Sequence, residues 1–168
     1  DLKGKMLGVS VLDLLGGPMH EKMPAVASLH GTKATIEEMA EEISIHTATG
    51  LHGAKVGFGK RGEANLGFDH DRDVDFVRQV SEAMGPSKML MIDLGVKNFW
   101  DVPTAIRRAR VFEDYGVHWL EEPLGHDDPQ RYAALRAATG IRIAYGEREW
   151  TPRGVKPLVD PATVDVLG

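Results

Sequence analysis

Short apolar runs alternate with longer amphipathic stretches along most of the chain. After Gly53, an apolar run, a polar or acidic residue, a loop and a helix-like stretch follow one another repeatedly. Strands that alternate with helices in this way are typical of βαβ units and therefore of a parallel sheet. The predicted strands are Met23–Leu29, Ala54–Phe58, Met89–Ile92, Val117–Leu120, Ile141–Tyr145 and Val164–Leu167.

The stretches between these runs carry recognisable helix signals. Thr35 and Glu38 form a capping box before apolar residues at helical spacing. Asp101 and Asp128 each stand just before a stretch with a proline in its first turn, as N-cap residues do. We therefore predict five helices, which begin near Thr35, Asp71, Asp101, Asp128 and Thr151, the last one cut short by Pro157.

Composition is that of a globular protein and excludes several other classes. The 168 residues are 42% hydrophobic and 27% charged, about one domain's worth of chain. The formal net charge of −5 argues against nucleic-acid binding, and no apolar run approaches the roughly 18 residues of a membrane span. The chain has no cysteine, which excludes disulfides and thiolate zinc sites. We expect a cytoplasmic protein without nucleic-acid or membrane partners.

Three acidic residues stand at the ends of three consecutive strand-like runs. Asp93 and Glu121 lie 28 positions apart, and Glu121 and Glu147 lie 26 apart. An open doubly wound sheet and a closed (β/α)₈ barrel both allow this rhythm. Acids in register at the carboxyl ends of parallel strands favour the barrel, because barrel enzymes place their chemistry there. We predict an α/β fold with a parallel (β/α)₈ barrel, of which residues 21–168 hold about the first six units.

The same three acids indicate a metal site with a base beside it. Three like charges at one edge would repel unless they are protonated or bound to a cation, and Mg²⁺ prefers such oxygen ligands. Lys55 lies one unit before Asp93 and would project at the same end, where burial and a cation would lower its pKa. Metal and base together could remove the proton α to a substrate carboxylate. The alternative is an internal ion-pair cluster without catalysis.

At this point the residues resemble the enolase superfamily, in its mandelate racemase and muconate lactonizing enzyme-like branch. The first stretch of the chain resembles the exit from the family's N-terminal capping domain, and four later elements resemble the lysine strand and the three metal-ligand strands. These elements are Asp1–Val9, Ala54–Gly57, Asp93, Trp119–Pro123 and Gly146-Glu147. The resemblance implies that the first Glu of the Glu-Glu-Pro element, Glu121, is the ligand.

The resemblance also implies an activity and an organisation. It implies a Mg²⁺-dependent hydro-lyase of carbohydrate catabolism that dehydrates a sugar acid to a 2-keto-3-deoxy acid. A racemase, epimerase or cycloisomerase of the same superfamily, or a non-catalytic barrel fragment, remains the alternative. We expect a small carboxylate substrate and a homo-oligomer. Residues 1–20 would be the exit segment of a missing α+β capping domain, so the chain is expected to be a piece of a longer protein.

Secondary candidates surround this proposed centre. Substrate-binding roles are predicted for five residues: His30, Lys60, Glu122, Arg148 and Trp150. Trp100 and Trp119 are expected in the core or at an interface. The stretch Gly57–Gly62 matches a dinucleotide-binding glycine pattern, but no helix is predicted directly after it, so we interpret it as a loop.

Two departures from the family pattern concern the centre itself. Gly53 stands two residues before Lys55, at the place where the first lysine of a Lys-x-Lys pair often stands, so a racemase with two lysine-strand bases is not expected. Gly95 stands where the family commonly has an asparagine two places after the first ligand, and Asn98 is the candidate that could replace it.

Overall fold

The strands form one parallel sheet in the order in which they occur along the chain. The computed structural model describes residues 1–59, 64–95, 99–126, 128–159 and 163–168. Its strands are β1 (Ala27–His30), β2 (Gly53–Gly57), β3 (Met89–Asp93), β4 (Trp119–Glu121), β5 (Arg142–Tyr145) and β6 (Val166–Leu167). Each strand pairs with the next, whereas a doubly wound sheet reverses its order at a switch point. The predicted barrel-type parallel sheet is confirmed.

Five of the helices in the described ranges correspond to the five that the sequence signals predicted, whereas the first two along the chain were not predicted. The helices are α1 (Leu2–Leu7), α2 (Val11–Leu14), α3 (Ile36–Ala48), α4 (His70–Met84), α5 (Val102–Asp114), α6 (Pro129–Ala138) and α7 (Pro152–Val159). The capping box of Thr35 and Glu38 is formed, but α4 is capped by Asp69 rather than begun at Asp71. Pro157 does not end α7, which continues to Val159, although proline lacks the N–H that would bond the carbonyl four residues earlier.

Side chains alternate along the strands, so that the apolar core residues and the polar residues of the site lie on opposite faces of the sheet. The residues that face the helices are buried and belong to one apolar core, with Val56, Ile92, Leu120 and Ile143 all at 0% exposure. Burial of each such side chain stabilises the fold by roughly 1.5–3 kcal/mol. Successive strand residues point to opposite faces, so their neighbours along each strand face the inside of the sheet. That inner face carries the polar residues of the site.

A buried ion pair joins α4 and α5 and anchors the loops that follow β2 and β3. The Arg108 guanidinium donates to the Asp73 carboxylate at 2.9 Å, and both side chains are almost fully buried. The other Asp73 oxygen accepts the backbone N–H of Gly67 at 2.6 Å, and the Gly67 carbonyl accepts the indole N–H of Trp100 at 2.8 Å. Arg108 also lies over the Trp100 ring. Trp100 is thus in the core, as expected.

The first 20 residues differ from the sheet region in their exposure. Helices α1 and α2 leave most of their apolar side chains exposed, and the following Met19 is 92% exposed. The assignment of residues 1–20 to the exit of a capping domain stays a prediction. None of the helices in the described ranges has the length and hydrophobicity that a membrane crossing requires.

The ion pair generates a stability prediction. Asp73→Ala would leave the buried Arg108 guanidinium without its counter-charge, and we expect a loss of about 3–5 kcal/mol in unfolding free energy. Asp75→Ala is the matched control, because Asp75 lies on the same helix and pairs with Arg78 at the surface. Its loss should stay below about 1 kcal/mol in denaturant titrations. Equal losses in the two variants would contradict this account.

Candidate active site

Lys55 contacts two of the three predicted acidic ligands. Its amine lies 2.6 Å from Glu121 Oε1 and 3.2 Å from Asp93 Oδ2. Asp93 and Glu121 are direct partners in the β3–β4 ladder, whereas Lys55 pairs with Met91, two residues earlier along β3. The long lysine side chain therefore extends along the inner face toward the carboxyl ends of the strands. The three side chains converge there because the strands are parallel and in register.

Each of these acids is held by a further N–H donor that the sequence analysis did not identify. The backbone N–H of Gly95 donates to Asp93 Oδ1 at 2.9 Å, from a left-handed conformation with φ 59° that favours glycine. The indole N–H of Trp119 donates to Glu121 Oε2 at 3.0 Å. Trp119 is not among the residues of the apolar core, so the expectation of a core position is wrong, and the interface alternative stays a prediction. Its position two residues before Glu121, on the same strand face, was the signal available in the sequence.

Glu147 does not join this group in the structure. Its side chain is 54% exposed, and its Oε1 accepts a hydrogen bond from the Arg148 guanidinium at 3.1 Å. Across the ranges that the structure describes, no group of three or more acidic or histidine side chains is placed to hold a metal ion. The convergence of Asp93, Glu121 and Glu147 on one point, predicted from the sequence, is thus seen for two of the three. Arg148 attracts the third carboxylate instead.

Glu122 is the most deeply buried acid of the site. It is 1% exposed and has a positive φ of 44°, an uncommon and strained conformation for a residue with a side chain. Its Oε2 accepts a hydrogen bond from Arg148 Nε at 3.1 Å, while its Oε1 has no hydrogen bond partner within the described part of the chain. Burial raises the pKa of Glu122, and the nearby Arg148 offsets only part of that effect.

A cavity brings most of these side chains together. It has a volume of about 260 Å³ and is lined by residues of β2, β4, β5 and β6 and of the segments next to them. Its wall includes the predicted base, three of the acids and the indole of Trp119, together with small and apolar residues of β5 and β6. The polar and aromatic lining residues are Lys55, Trp119, Glu121, Glu122, Tyr145 and Glu147. The arrangement can bind a small polar ligand with the lysine amine directed at it.

The remaining substrate-binding candidates have different outcomes. Arg148 contacts both Glu122 and Glu147, as described above. His30 ends β1 and lies over Gly57 of the neighbouring strand, but it is exposed and outside the cavity wall. Trp150 is 92% exposed, because a turn closed by the Glu149 N–H bond to the Gly146 carbonyl precedes it, so it is not a wall of this cavity. Lys60 lies outside the described residues.

Two further features predicted for the loops fall partly outside the described ranges. Residues 60–62 of the Gly57–Gly62 pattern lie there, as does Asn98, the proposed support for Asp93. Among the described residues, the backbone N–H of Gly95 supports Asp93.

The electrostatics of Lys55 differ from the expectation. Burial disfavours its charged form, but the hydrogen bond to Glu121 and the charges of Asp93 and Glu121 together outweigh burial and raise the pKa of Lys55. This direction is opposite to the lowered pKa predicted from burial and a neighbouring cation. In the structure the amine itself is the positive charge that the two carboxylates share.

The donor chemistry of the site fits a hard divalent cation. Four carboxylates, those of Asp93, Glu121, Glu122 and Glu147, face two basic side chains, so the site carries an excess of two negative charges. Carboxylate oxygens are the ligands that Mg²⁺ prefers. Asp93 and Glu121 already lie together, and Glu147 lines the same cavity as Glu121. The residues present are therefore suited to such an ion.

Comparison with known proteins identifies the family. Residues 38–168 match the family described as Enolase C-terminal domain-like, and the chain belongs to this family. The resemblance stated from the Glu-Glu-Pro element and its neighbours is confirmed.

Curated relatives include both cycloisomerases and dehydratases. The D-galactarolactone cycloisomerase of Agrobacterium fabrum is 30% identical over 99% of this chain and 42% of its own length. The L-talarate/galactarate dehydratase of Salmonella typhimurium is 31% identical over 88% of this chain and 35% of its own length. The chain thus spans about two fifths or less of the length of these relatives.

Solved structures agree with the fold. The 3,6-anhydro-D-galactonate cycloisomerase from Zobellia galactanivorans has a TM-score of 0.83 at 31% identity, over 99% of this chain and 44% of that one. A mandelate racemase/muconate lactonizing protein from Paracoccus denitrificans, complexed with magnesium, has a TM-score of 0.84 at 27% identity, again over 99% and 44%.

The contact between Arg148 and the buried Glu122 should contribute to the stability of the fold. Arg148→Met would leave the buried Glu122 carboxylate without its charged donor, and we expect a loss of about 2 kcal/mol in unfolding free energy. Arg153→Met, at an exposed position of α7, should change stability by no more than about 0.5 kcal/mol. Denaturant unfolding of both variants measures the difference. Wild-type stability of Arg148→Met would show that Glu122 does not depend on this contact.

Proposed function

We propose that the protein to which this chain belongs removes the proton α to the carboxylate of a sugar acid, with Mg²⁺ as cofactor. The observation that carries this proposal is the contact of the Lys55 amine with Asp93 and Glu121, in a cavity that Glu147 also lines. The named relatives that act on acid sugars support this reaction class. The outcome we favour is dehydration to a 2-keto-3-deoxy acid.

Each residue has a definite part in this reaction. Asp93, Glu121 and Glu147 would hold the ion, which supplies positive charge to a substrate carboxylate and stabilises the dianion formed there. Glu147 would turn from Arg148 to do so. Once its carboxylates are shared with an ion, Lys55 loses the attraction that raises its pKa, and its neutral amine accepts the α-proton at Nζ.

The rest of the cavity would orient the substrate. Arg148 can donate to a substrate oxygen, and the buried Glu122 Oε1 can accept a hydrogen bond from a sugar hydroxyl. In the dehydration, the C–H bond α to the carboxylate breaks as Lys55 takes the proton. The bond between the β-carbon and its hydroxyl then breaks, the hydroxyl takes one proton from a general acid and leaves as water, and the resulting enol tautomerises to the 2-keto-3-deoxy acid.

Cycloisomerisation is the second candidate, because two of the compared proteins are cycloisomerases of sugar-derived acids. Cycloisomerisation shares the proton transfer at the α-carbon with dehydration. It differs at the neighbouring carbon, where a ring bond is broken or formed instead of a hydroxyl being lost. Racemisation or epimerisation would need a second base on the opposite side of the α-carbon. On β2 the residue two positions before Lys55 is Gly53 rather than a lysine. A fragment that only stabilises a larger assembly is the non-catalytic alternative.

A substrate screen tests the proposed reaction. The full-length protein with Mg²⁺ is offered a panel of aldonic and aldaric acids and their lactones, and 2-keto-3-deoxy acid formation is measured. We expect turnover of at least one acid, abolished by a chelator and restored by Mg²⁺. Ring opening or closure without formation of a keto acid would favour the cycloisomerase. No conversion of any acid, with no exchange of the α-proton, would refute the enzyme assignment.

A lysine substitution tests the base. Lys55→Met should abolish exchange of the substrate α-proton with deuterated water, because a methionine side chain cannot accept that proton in place of the lysine amine. Its Mg²⁺ affinity should be retained, since the carboxylates remain. Lys33→Met, at an exposed position, is the control and should keep full exchange. Loss of stability without loss of exchange would instead identify Lys55 as part of a structural ion-pair cluster.

A further inference from the structure

The two carboxylate oxygens of Glu121 contact different groups. Oε1 lies 2.6 Å from the Lys55 amine, and Oε2 accepts the indole N–H of Trp119 at 3.0 Å. Trp119 and Glu121 stand two residues apart on β4 and therefore share the inner face of the sheet. The indole thus holds one oxygen of this carboxylate from its own strand.

Asp93 has the same arrangement with a different donor. Its Oδ1 accepts the Gly95 backbone N–H, and its Oδ2 lies near the Lys55 amine. In each acid, one oxygen is bound by an N–H group and the other faces a common point between the two strands. The Lys55 amine lies at that point. The pattern is repeated on neighbouring strands, so it is a property of the site rather than of one side chain.

We propose that Trp119 is a positioning residue, which holds Glu121 Oε2 so that Glu121 presents Oε1 alone to a cation. This inference deepens the proposed function and rests on it, because the orientation of Glu121 matters in this way only if the carboxylate binds an ion. Trp119 itself contacts no ion, since an indole N–H is a donor only.

The physical reason lies in the freedom of a glutamate side chain. Its terminal torsion is broad, so a carboxylate with a single partner can rotate and present either oxygen or both. A second hydrogen bond from a rigid donor limits that rotation. Trp119 is such a donor, because its strand position is set by ladder pairing with Met91 and Arg142. Groups that orient a metal ligand in this way typically affect metal affinity about 10–100-fold when they are removed.

The chain contains a matched control for this proposal. Trp100 also uses its indole N–H, but the acceptor is the Gly67 carbonyl in the network of Asp73 and Arg108, not a carboxylate of the cavity. Trp119→Phe and Trp100→Phe therefore remove the same chemical group from two places. Only the first removal should affect the site.

The experiment measures binding of Mg²⁺ alone to the full-length protein by calorimetry, and thermal unfolding in the presence of a chelator. For Trp119→Phe we expect a rise in the Mg²⁺ dissociation constant of about 10-fold or more, with little change in Tm. For Trp100→Phe we expect a lower Tm and an unchanged dissociation constant. Replacement of Trp119 by benzothienylalanine, which exchanges the N–H for sulfur at nearly the same shape, should reproduce the loss of affinity even if the phenylalanine variant folds poorly.

Glu121→Gln and Asp93→Asn separate the two proposals. If they weaken Mg²⁺ binding while both replacements of Trp119 bind like wild type, the positioning role is refuted and the proposed metal site stands. If Glu121→Gln and Asp93→Asn bind Mg²⁺ like wild type, the proposed metal site fails and the positioning role fails with it. Equal effects of Trp119→Phe and Trp100→Phe on affinity would also overturn the positioning role, because they would reflect general destabilisation.

Discussion

The parallel register of β3 and β4 is the constraint on which the site depends. It places Asp93 directly beside Glu121, at the end of the sheet where both carboxylates face the same side. Two such charges repel each other, and the site is stable only with a positive charge between them. Lys55 provides that charge in the structure, and its raised pKa reflects the attraction. A Mg²⁺ ion would compete for the same carboxylates in the proposed reaction.

Around this centre, basic groups and N–H donors decide where each carboxylate points. Arg148 holds the buried Glu122 and draws Glu147 away from the two acids that contact Lys55. Gly95 and Trp119 each bind one oxygen of an acid. The arrangement is therefore a balance of ion pairs in a partly buried cavity, in which one added cation would redistribute several contacts at once.

The sheet and the polar centre lie on opposite faces of the same strands, which explains how a short chain supports both. Apolar residues such as Val56 and Ile92 face the helices, while Lys55 and Asp93 face the inside. The loops that carry Gly67 and Trp100 are anchored from outside the site by the buried pair of Asp73 and Arg108. Packing can thus stabilise the end of the sheet without occupying the cavity.

The sequence by itself determined the alternation of strands and helices, most helix starts and the end of the sheet at which Lys55, Asp93 and Glu121 lie. The first two follow from local periodicity and capping residues, which act over a few positions, whereas the barrel-type strand order was favoured only by the acids at the strand ends. Tertiary structure alone decided that Glu147 turns to Arg148, that Glu122 is buried at a positive φ, and that the Trp119 indole binds Glu121. The physical reason is that a long polar side chain takes the direction set by the sum of nearby charges and donors. Those neighbours come from different strands, and their distances are known only once the sheet has formed.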